Sequence, residues 1–305
     1  MHPRWMLAPA ACAALVGACY DFDATTRGGP LGDGGPPPDS GALDSGAADG
    51  TVSDAGTNDA AAPDASPGDG GFCATLGNTK NAVFFCDDFD EAPLPGSWNT
   101  YHEMSGTLTD TDAASVSPPS SLEEQTASLP LGQGIDVALR KQLTLPPIPS
   151  TSRFAFSLEP VTVDPAANAT IVLVAIDFSD ALPPAPVNRY SVQLSLTIDG
   201  TGAATMALGE QSGFTDGSAP YVNHPLPPTT TLAVGQFTDV AIEIQWSSAT
   251  SVEGRVFLGA AQVLDVPLTM TVTPIALQIG VGTSYVTEPS PGWTLRFDNV
   301  AFTAN

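Results

Sequence analysis

Positive charge is scarce in this chain: 9 Lys+Arg stand against 33 Asp+Glu in 305 residues, a net charge of −24. Phosphate backbones are held by clustered Lys and Arg, so nucleic acid is excluded as a partner. Docking on anionic headgroups through a basic patch is excluded for the same reason. Histidine is rarer still. Past the amino-terminal segment only His102 and His224 remain, too few ligands for a catalytic zinc once the cysteines are accounted for. No G-x-S-x-G elbow positions a nucleophilic serine. No apolar run of transmembrane length follows the N-terminus, so no internal spanning helix is expected. What is abundant is turn-forming sequence, 29 Gly and 29 Pro, together with 42% hydrophobic residues, enough for a core.

The first residues read as an export signal. Arg4 is the positive n-region, Met6 to Val16 is an apolar stretch too short to span a bilayer, and Gly17 and Ala18 are the small residues a cleavage site needs. The run Val16-Gly17-Ala18-Cys19 resembles the lipobox of bacterial lipoproteins, with Val where Leu is usual. The resemblance implies cleavage after Ala18 and lipid on Cys19, so that the membrane is a partner through an N-terminal anchor. The alternative is ordinary cleavage after Ala18 with no lipid. Two or more acyl chains make a stable anchor where one does not. Tyr20, rather than Asp, follows Cys19, which by an enteric-type sorting rule points to the outer membrane. The expected segments are a lipoprotein signal peptide over 1–18, a linker over 19–71 and a folded domain over 72–305.

The linker is defined by its aspartates. Asp39, Asp44, Asp49, Asp54, Asp59, Asp64 and Asp69 recur every five residues among Gly, Ala, Pro and Ser. A period of five matches neither helix nor strand. With almost no large apolar residue, nothing offsets the entropy of ordering. The segment is therefore expected to be a disordered tether reaching about 35–43 Å, swollen further by like-charge repulsion. A calcium-binding β-roll is the weaker alternative, because the glycine-rich nonapeptide pattern is absent.

From Phe72 onward, short alternating runs predict half-buried antiparallel strands. Tyr190, Val192, Leu194, Leu196 and Ile198 share one face; so do Val240, Ile242, Ile244 and Trp246; so do Ile275, Leu277, Ile279 and Val281; and so do Phe154, Phe156 and Leu158. The run from Thr170 to Phe178 is apolar on both faces and is expected centrally. Pro-rich stretches at 118–119, 146–149, 183–186 and 225–228 mark loops. No helix is expected, and the runs number about a dozen strands, the content of one β-sandwich. Cys73 and Cys86, in an exported chain, are expected to pair, which is worth about 3 kcal/mol for a loop of this size.

The two ends of the domain carry a family pattern. VFFCDDFDEAPLPGSW (83–98) resembles the opening of concanavalin A-like lectin/glucanase domains, and SPPSSL (117–122) resembles the turn that follows it there. FTDVAIEIQW with GRVFLGAAQVLDVPL resembles a laminin G-like hairpin, and GWTLRFDNVAFT the closing strand. The resemblance spans 83–303. It implies an all-β, two-sheet antiparallel jelly-roll β-sandwich whose first and last strands pair. It further implies a structural calcium where those strands meet, with Asp88 and Asp298 as ligands beside Asp87 and Asp90. The alternative is an acidic strand end in solvent.

Fold does not determine chemistry. Glycan hydrolysis uses two facing carboxylates, and the Glu-x-Asp-x-x-Glu motif of related glucanases is absent. Glu123 and Glu124 fall on opposite faces of a strand, as do Asp177 and Asp180, and Glu243 stands alone. The domain therefore reads as non-catalytic, binding a glycan or another extracellular polymer. An envelope domain that contacts only protein is the alternative, and a divergent glycoside hydrolase a lesser one. Trp98, Tyr101, Tyr221, Tyr285 and Trp293 are candidate sugar-stacking rings, while Trp246 belongs to the core. Lipidation at Cys19 is tested by metabolic labelling with a radioactive fatty acid. Label in the mature protein that disappears in Cys19→Ser is expected; equal labelling of both removes the anchor.

Overall fold

The computed structural model describes residues 72–76, 83–90, 93–130, 134–145, 149–163, 168–181, 188–199, 204–212, 221–248, 251–270, 272–286 and 292–305. The signal peptide, Cys19 and the aspartate-repeat linker lie outside the described residues. A single helical turn, α1 (Phe72–Thr75), precedes fifteen strands: β1 (Val83–Asp87), β2 (Thr100–Met104), β3 (Gly106–Thr111), β4 (Ser121–Thr126), β5 (Asp136–Thr144), β6 (Thr151–Thr162), β7 (Asn168–Ser179), β8 (Arg189–Asp199), β9 (Ala204–Ser212), β10 (Tyr221–Pro225), β11 (Thr238–Ser248), β12 (Ser251–Leu258), β13 (Ala261–Leu268), β14 (Ala276–Val286) and β15 (Thr294–Ala304). The short α1 corrects the expectation of no helix. The Cys73–Cys86 disulfide ties it to β1, with the two Cα atoms 5.6 Å apart.

The strands form two antiparallel sheets. One has eight strands in the order β13-β12-β11-β6-β15-β4-β3, with β1 also paired to β15; the other has seven, in the order β10-β9-β8-β7-β14-β5-β2. The first and last strands do pair: Val83 lies opposite Ala304 and Asp87 opposite Val300. Strand β15 divides one edge between two partners. Thr294–Phe297 pair with β4 and Val300–Ala304 with β1, while β6 runs along the other edge. The register shifts between Asp298 and Ala301, where Asn299 takes a positive φ of 53°. As expected from its double-sided apolarity, β7 sits in the middle of its sheet.

Alternation builds the core. Phe154, Phe156 and Leu158 of β6, Ile242 and Ile244 of β11, and Phe297 and Phe302 of β15 face Ile176 and Phe178 of β7, Tyr190, Val192, Leu194, Leu196 and Ile198 of β8 and Leu277, Ile279 and Val281 of β14. Trp246 is buried among them and meets Phe178 of the opposite sheet edge-on, ring centres 5.7 Å apart. Truncating Phe178 to Ala leaves a cavity between the sheets, at a cost of about 3–5 kcal/mol. Ile275 departs from the expected pattern. It lies just before β14 and is 44% exposed; its N–H donates to Ser179 O and its carbonyl accepts from Leu145 N, so the backbone is held at the strand end where the pleat has not begun.

The outward face of the eight-stranded sheet is charged, in rows of alternating sign. Arg153, Glu243, Arg255 and Asp265 are successive cross-strand neighbours, and Glu159, Arg296 and Glu123 form a second row. Both rows are closed by ion pairs. Glu243, which the sequence leaves without a second carboxylate beside it, bridges two arginines.

Glu124 points the other way from Glu123, into the sandwich, and links the two sheets. It accepts the Thr283 N–H at 3.0 Å and the Trp293 indole N–H at 3.3 Å. Complete burial raises its pKa to about 7, against the pull of those hydrogen bonds. A carboxyl with a raised folded-state pKa binds its proton more tightly in the folded chain. Its contribution is therefore fully present below the ordinary value of 4.5 and is lost as pH rises through about 7. The expected loss is about 3 kcal/mol. Thermal melts from pH 5 to 8 should show the native chain losing stability that Glu124→Gln retains; parallel pH profiles for the two would refute this reading of the latch.

Candidate functional site

Every core residue of the seven-stranded sheet commits its neighbours to the opposite face. In β5, Val137 and Leu139 are in the core, so Asp136, Ala138 and Arg140 point outward. In β8, Val192 and Leu194 are in the core, and Ser191 and Gln193 point outward. The cross-strand register then lines these outward residues into rows. The first row runs Tyr221, Gln211, Ser191, Asp177, Gln278, Gln142. The second runs Asn223, Gly209, Gln193, Ala175, Gly280, Arg140, Thr100. The first is almost wholly amide, hydroxyl and carboxyl. The second has small residues at three positions and so lies lower.

The face is recessed. Although turned away from the core, Arg140 is 9% exposed, Gln278 8%, Asp136 4% and Ser191 0%. At the β9–β10 end the Tyr221 side chain crosses Gly209, its hydroxyl standing where a Cβ would be. A side chain at 209 would displace the ring.

Charge concentrates at the β5–β2 end. Asp136 accepts from Arg140 Nη2 at 2.5 Å and lies 3.1 Å from His102 Nδ1. Desolvation and the neighbouring Arg140 guanidinium push the His102 pKa below its ordinary value, while Asp136 opposes the shift. A neutral imidazole that donates from Nδ1 to Asp136 leaves Nε2 as its acceptor. Further along the first row, burial raises the Asp177 carboxyl, against the Ser191 hydrogen bond and the nearby Arg140 and Arg189.

Two polar atoms of these rows, Gln278 Oε1 and Thr100 Oγ1, are buried without a hydrogen-bond partner. Buried polar groups are ordinarily satisfied, and each exception calls for an explanation.

The residues singled out in the sequence are placed as follows. Asp298 is fully buried, and its carboxylate accepts the N–H groups of Val116, Ser117 and Asn299 at 2.6, 3.0 and 2.7 Å. It pins the loop before β4 onto the β15 bulge, and burial raises its pKa. Asp88 is 8% exposed and accepts the Cys73 N–H at 3.4 Å. Among the described residues no group of three or more His, Cys, Asp or Glu is arranged to hold a metal ion. Trp98 and Trp293, expected as surface rings, are 5% and 2% exposed and belong to the core. Tyr101 faces β3 and donates to Leu108 O. Tyr221 alone among these rings is placed along the recessed face; the Tyr285 side chain lies outside what is described. His224 is on the core side, 2.9 Å from Glu210, which also accepts from Tyr190 Oη and from Thr269 N and Oγ1. That network joins β8, β9 and β10 to the end of β13 and is structural.

Asp136, Arg140 and Gln278 went unnoticed in the sequence. The signal was present in Asp-Val-Ala-Leu-Arg, whose alternation already sets Asp136 and Arg140 on one face. Only the pairing of β2 with β5 brings His102 to them.

No protein-family model and no curated protein sequence matches the chain. Solved structures do. An endo-β-1,4-glucuronan lyase from the fungus Trichoderma reesei superimposes with a TM-score of 0.53 at 14% identity, over 72% of this chain and 95% of that one. A PL-14 alginate lyase from Aplysia kurodai superimposes with a TM-score of 0.51 at 11% identity, over 75% and 100%. A GH16 protein from a Bacteroides ovatus mixed-linkage glucan locus gives 0.47 at 10% identity, over 72% and 99%. At these identities the likeness is one of fold. The described domain is an all-β, two-sheet antiparallel sandwich of the concanavalin A-like jelly-roll kind.

Proposed function

We propose that the chain is an exported lipoprotein, anchored at Cys19 in the outer membrane, whose β-sandwich holds a polysaccharide on the recessed face of the seven-stranded sheet. The observation that carries this reading is the pair of polar rows crossing that face, one rich in amides and hydroxyls, the other floored by Ala175 and Gly280, with the Tyr221 ring lying over Gly209 at its end. Planar amides and carboxyls over a trough of small residues suit the hydroxyls of a sugar chain. The rows run perpendicular to the strands. From β10 to β5 they cover about 24 Å, five strand spacings, a length suited to a polymer rather than a single sugar. That the similar glucuronan and alginate lyases act on polysaccharides agrees with this reading.

A second reading, cleavage of the bound chain, is favoured by one observation. His102 has its imidazole oriented by Asp136 and biased to the neutral form beside Arg140, the arrangement of a general base.

Affinity electrophoresis of the full chain in gels carrying soluble polysaccharides tests the first reading. Retardation by at least one of them is expected, and mobility unchanged across glucans, alginate and glucuronan would overturn it. Release of new chain ends, abolished in His102→Ala with retardation kept, would establish the second reading; absence of release leaves a binding protein. In an NMR titration His102 should have a midpoint below 6.5, moving lower still in Asp136→Asn. A midpoint above the ordinary value would remove the base.

A further inference from the structure

Resting on the polysaccharide reading, we propose that the recessed face selects an uncharged, hydroxyl-bearing glycan rather than a polyuronate, and that Gln278 and Thr100 are two of its hydroxyl-recognising positions.

Three observations converge. The face offers no surplus of positive charge. Its strands carry two arginines, Arg140 and Arg189, against three aspartates, Asp136, Asp177 and Asp199. Arg140, the guanidinium nearest the centre, is 9% exposed and already bonded to Asp136 at 2.5 Å. A sugar carboxylate arriving there has to compete with Asp136 for that guanidinium and lie beside a like charge, which is costly in a recessed site. The second observation is the pair of orphaned atoms. Gln278 is more than nine-tenths buried, and its Oε1 finds no partner. Thr100 Oγ1 is likewise unpartnered and sits two strands away, about 10 Å across the sheet. Both are neutral groups. A Gln oxygen accepts only, and a Thr hydroxyl donates or accepts, so a sugar hydroxyl satisfies either. The terminal torsion of Gln is broad, and a modest rotation turns Oε1 toward the trough. The third observation is global. The acid excess of the chain, 33 against 9, repels polyanions at long range and leaves neutral polymers unaffected.

A ligand-facing role makes a prediction that a structural role does not. Gln278→Leu and Thr100→Val keep shape and remove an unsatisfied buried polar atom, so the unliganded melting temperature should hold or rise. Binding should nevertheless weaken, by about five- to tenfold for each.

The experiment measures retardation of the full chain by mixed-linkage β-glucan and by alginate, at low and at high salt, for the native sequence and both variants. Expected is glucan binding that salt leaves unchanged, weakened in both variants without loss of melting temperature. Salt-sensitive binding to alginate with none to glucan would overturn the inference and leave the polysaccharide reading standing. Binding to neither overturns the polysaccharide reading itself. Variants that melt lower and bind as the native chain does would show Gln278 and Thr100 to be structural.

Discussion

In β5, Val137 and Leu139 point into the sandwich, so Asp136 and Arg140 cannot. This coupling through the pleat is the constraint on which the molecule turns. Each apolar side chain that the seven-stranded sheet contributes to the core sends a neighbour to the recessed face, and the ladder register decides which of those neighbours stand side by side. A slip of one residue in β5 would bury Arg140 against Phe and Leu side chains and bring Leu139 into the trough. Such an uncompensated charge in the core is far costlier than the hydrogen bonds it leaves behind. The same burial that stabilises the sandwich therefore holds the candidate site in register.

The two outward faces use charge differently. On the eight-stranded sheet, Arg153, Arg255 and Arg296 alternate with carboxylates in open rows. Water screens the pairs at the exposed end of these rows, so they add little to stability, and the rows keep a broad sheet surface wet and resistant to edge or face association. On the seven-stranded sheet the charges are fewer and recessed, with Asp136 serving Arg140 and His102 at once. Recession raises the cost of any unmatched group there, which is why the unpartnered Gln278 and Thr100 atoms stand out.

Buried carboxyls serve as seams. Glu124 joins β4 to β14, Glu210 joins the β8–β9–β10 edge to the chain leaving β13, and Asp298 pins the loop before β4 to the β15 bulge. Each lies where strand pairing is interrupted or where the two sheets must be held together at a border, and each accepts from backbone N–H groups that no ladder satisfies. Asp298 was anticipated as a calcium ligand; in the described structure its oxygens face amide donors.

Local patterning along the chain was sufficient for the strands of β6, β7, β8, β11 and β14, for the Cys73–Cys86 bridge and for the sandwich class. Period-two alternation and turn chemistry are short-range, and they are written in consecutive residues. The inward placement of Trp98 and Trp293 and the exposure of Ile275 were not legible in this way, because they depend on what the rest of the chain packs against those positions. The candidate site was less legible still. His102, Asp136, Asp177 and Gln278 come from four strands, β2, β5, β7 and β14, and nothing within any one segment says which strand will lie beside it. Long-range pairing brought them onto one face, and the closing of the two sheets over a shared core made that face a recess.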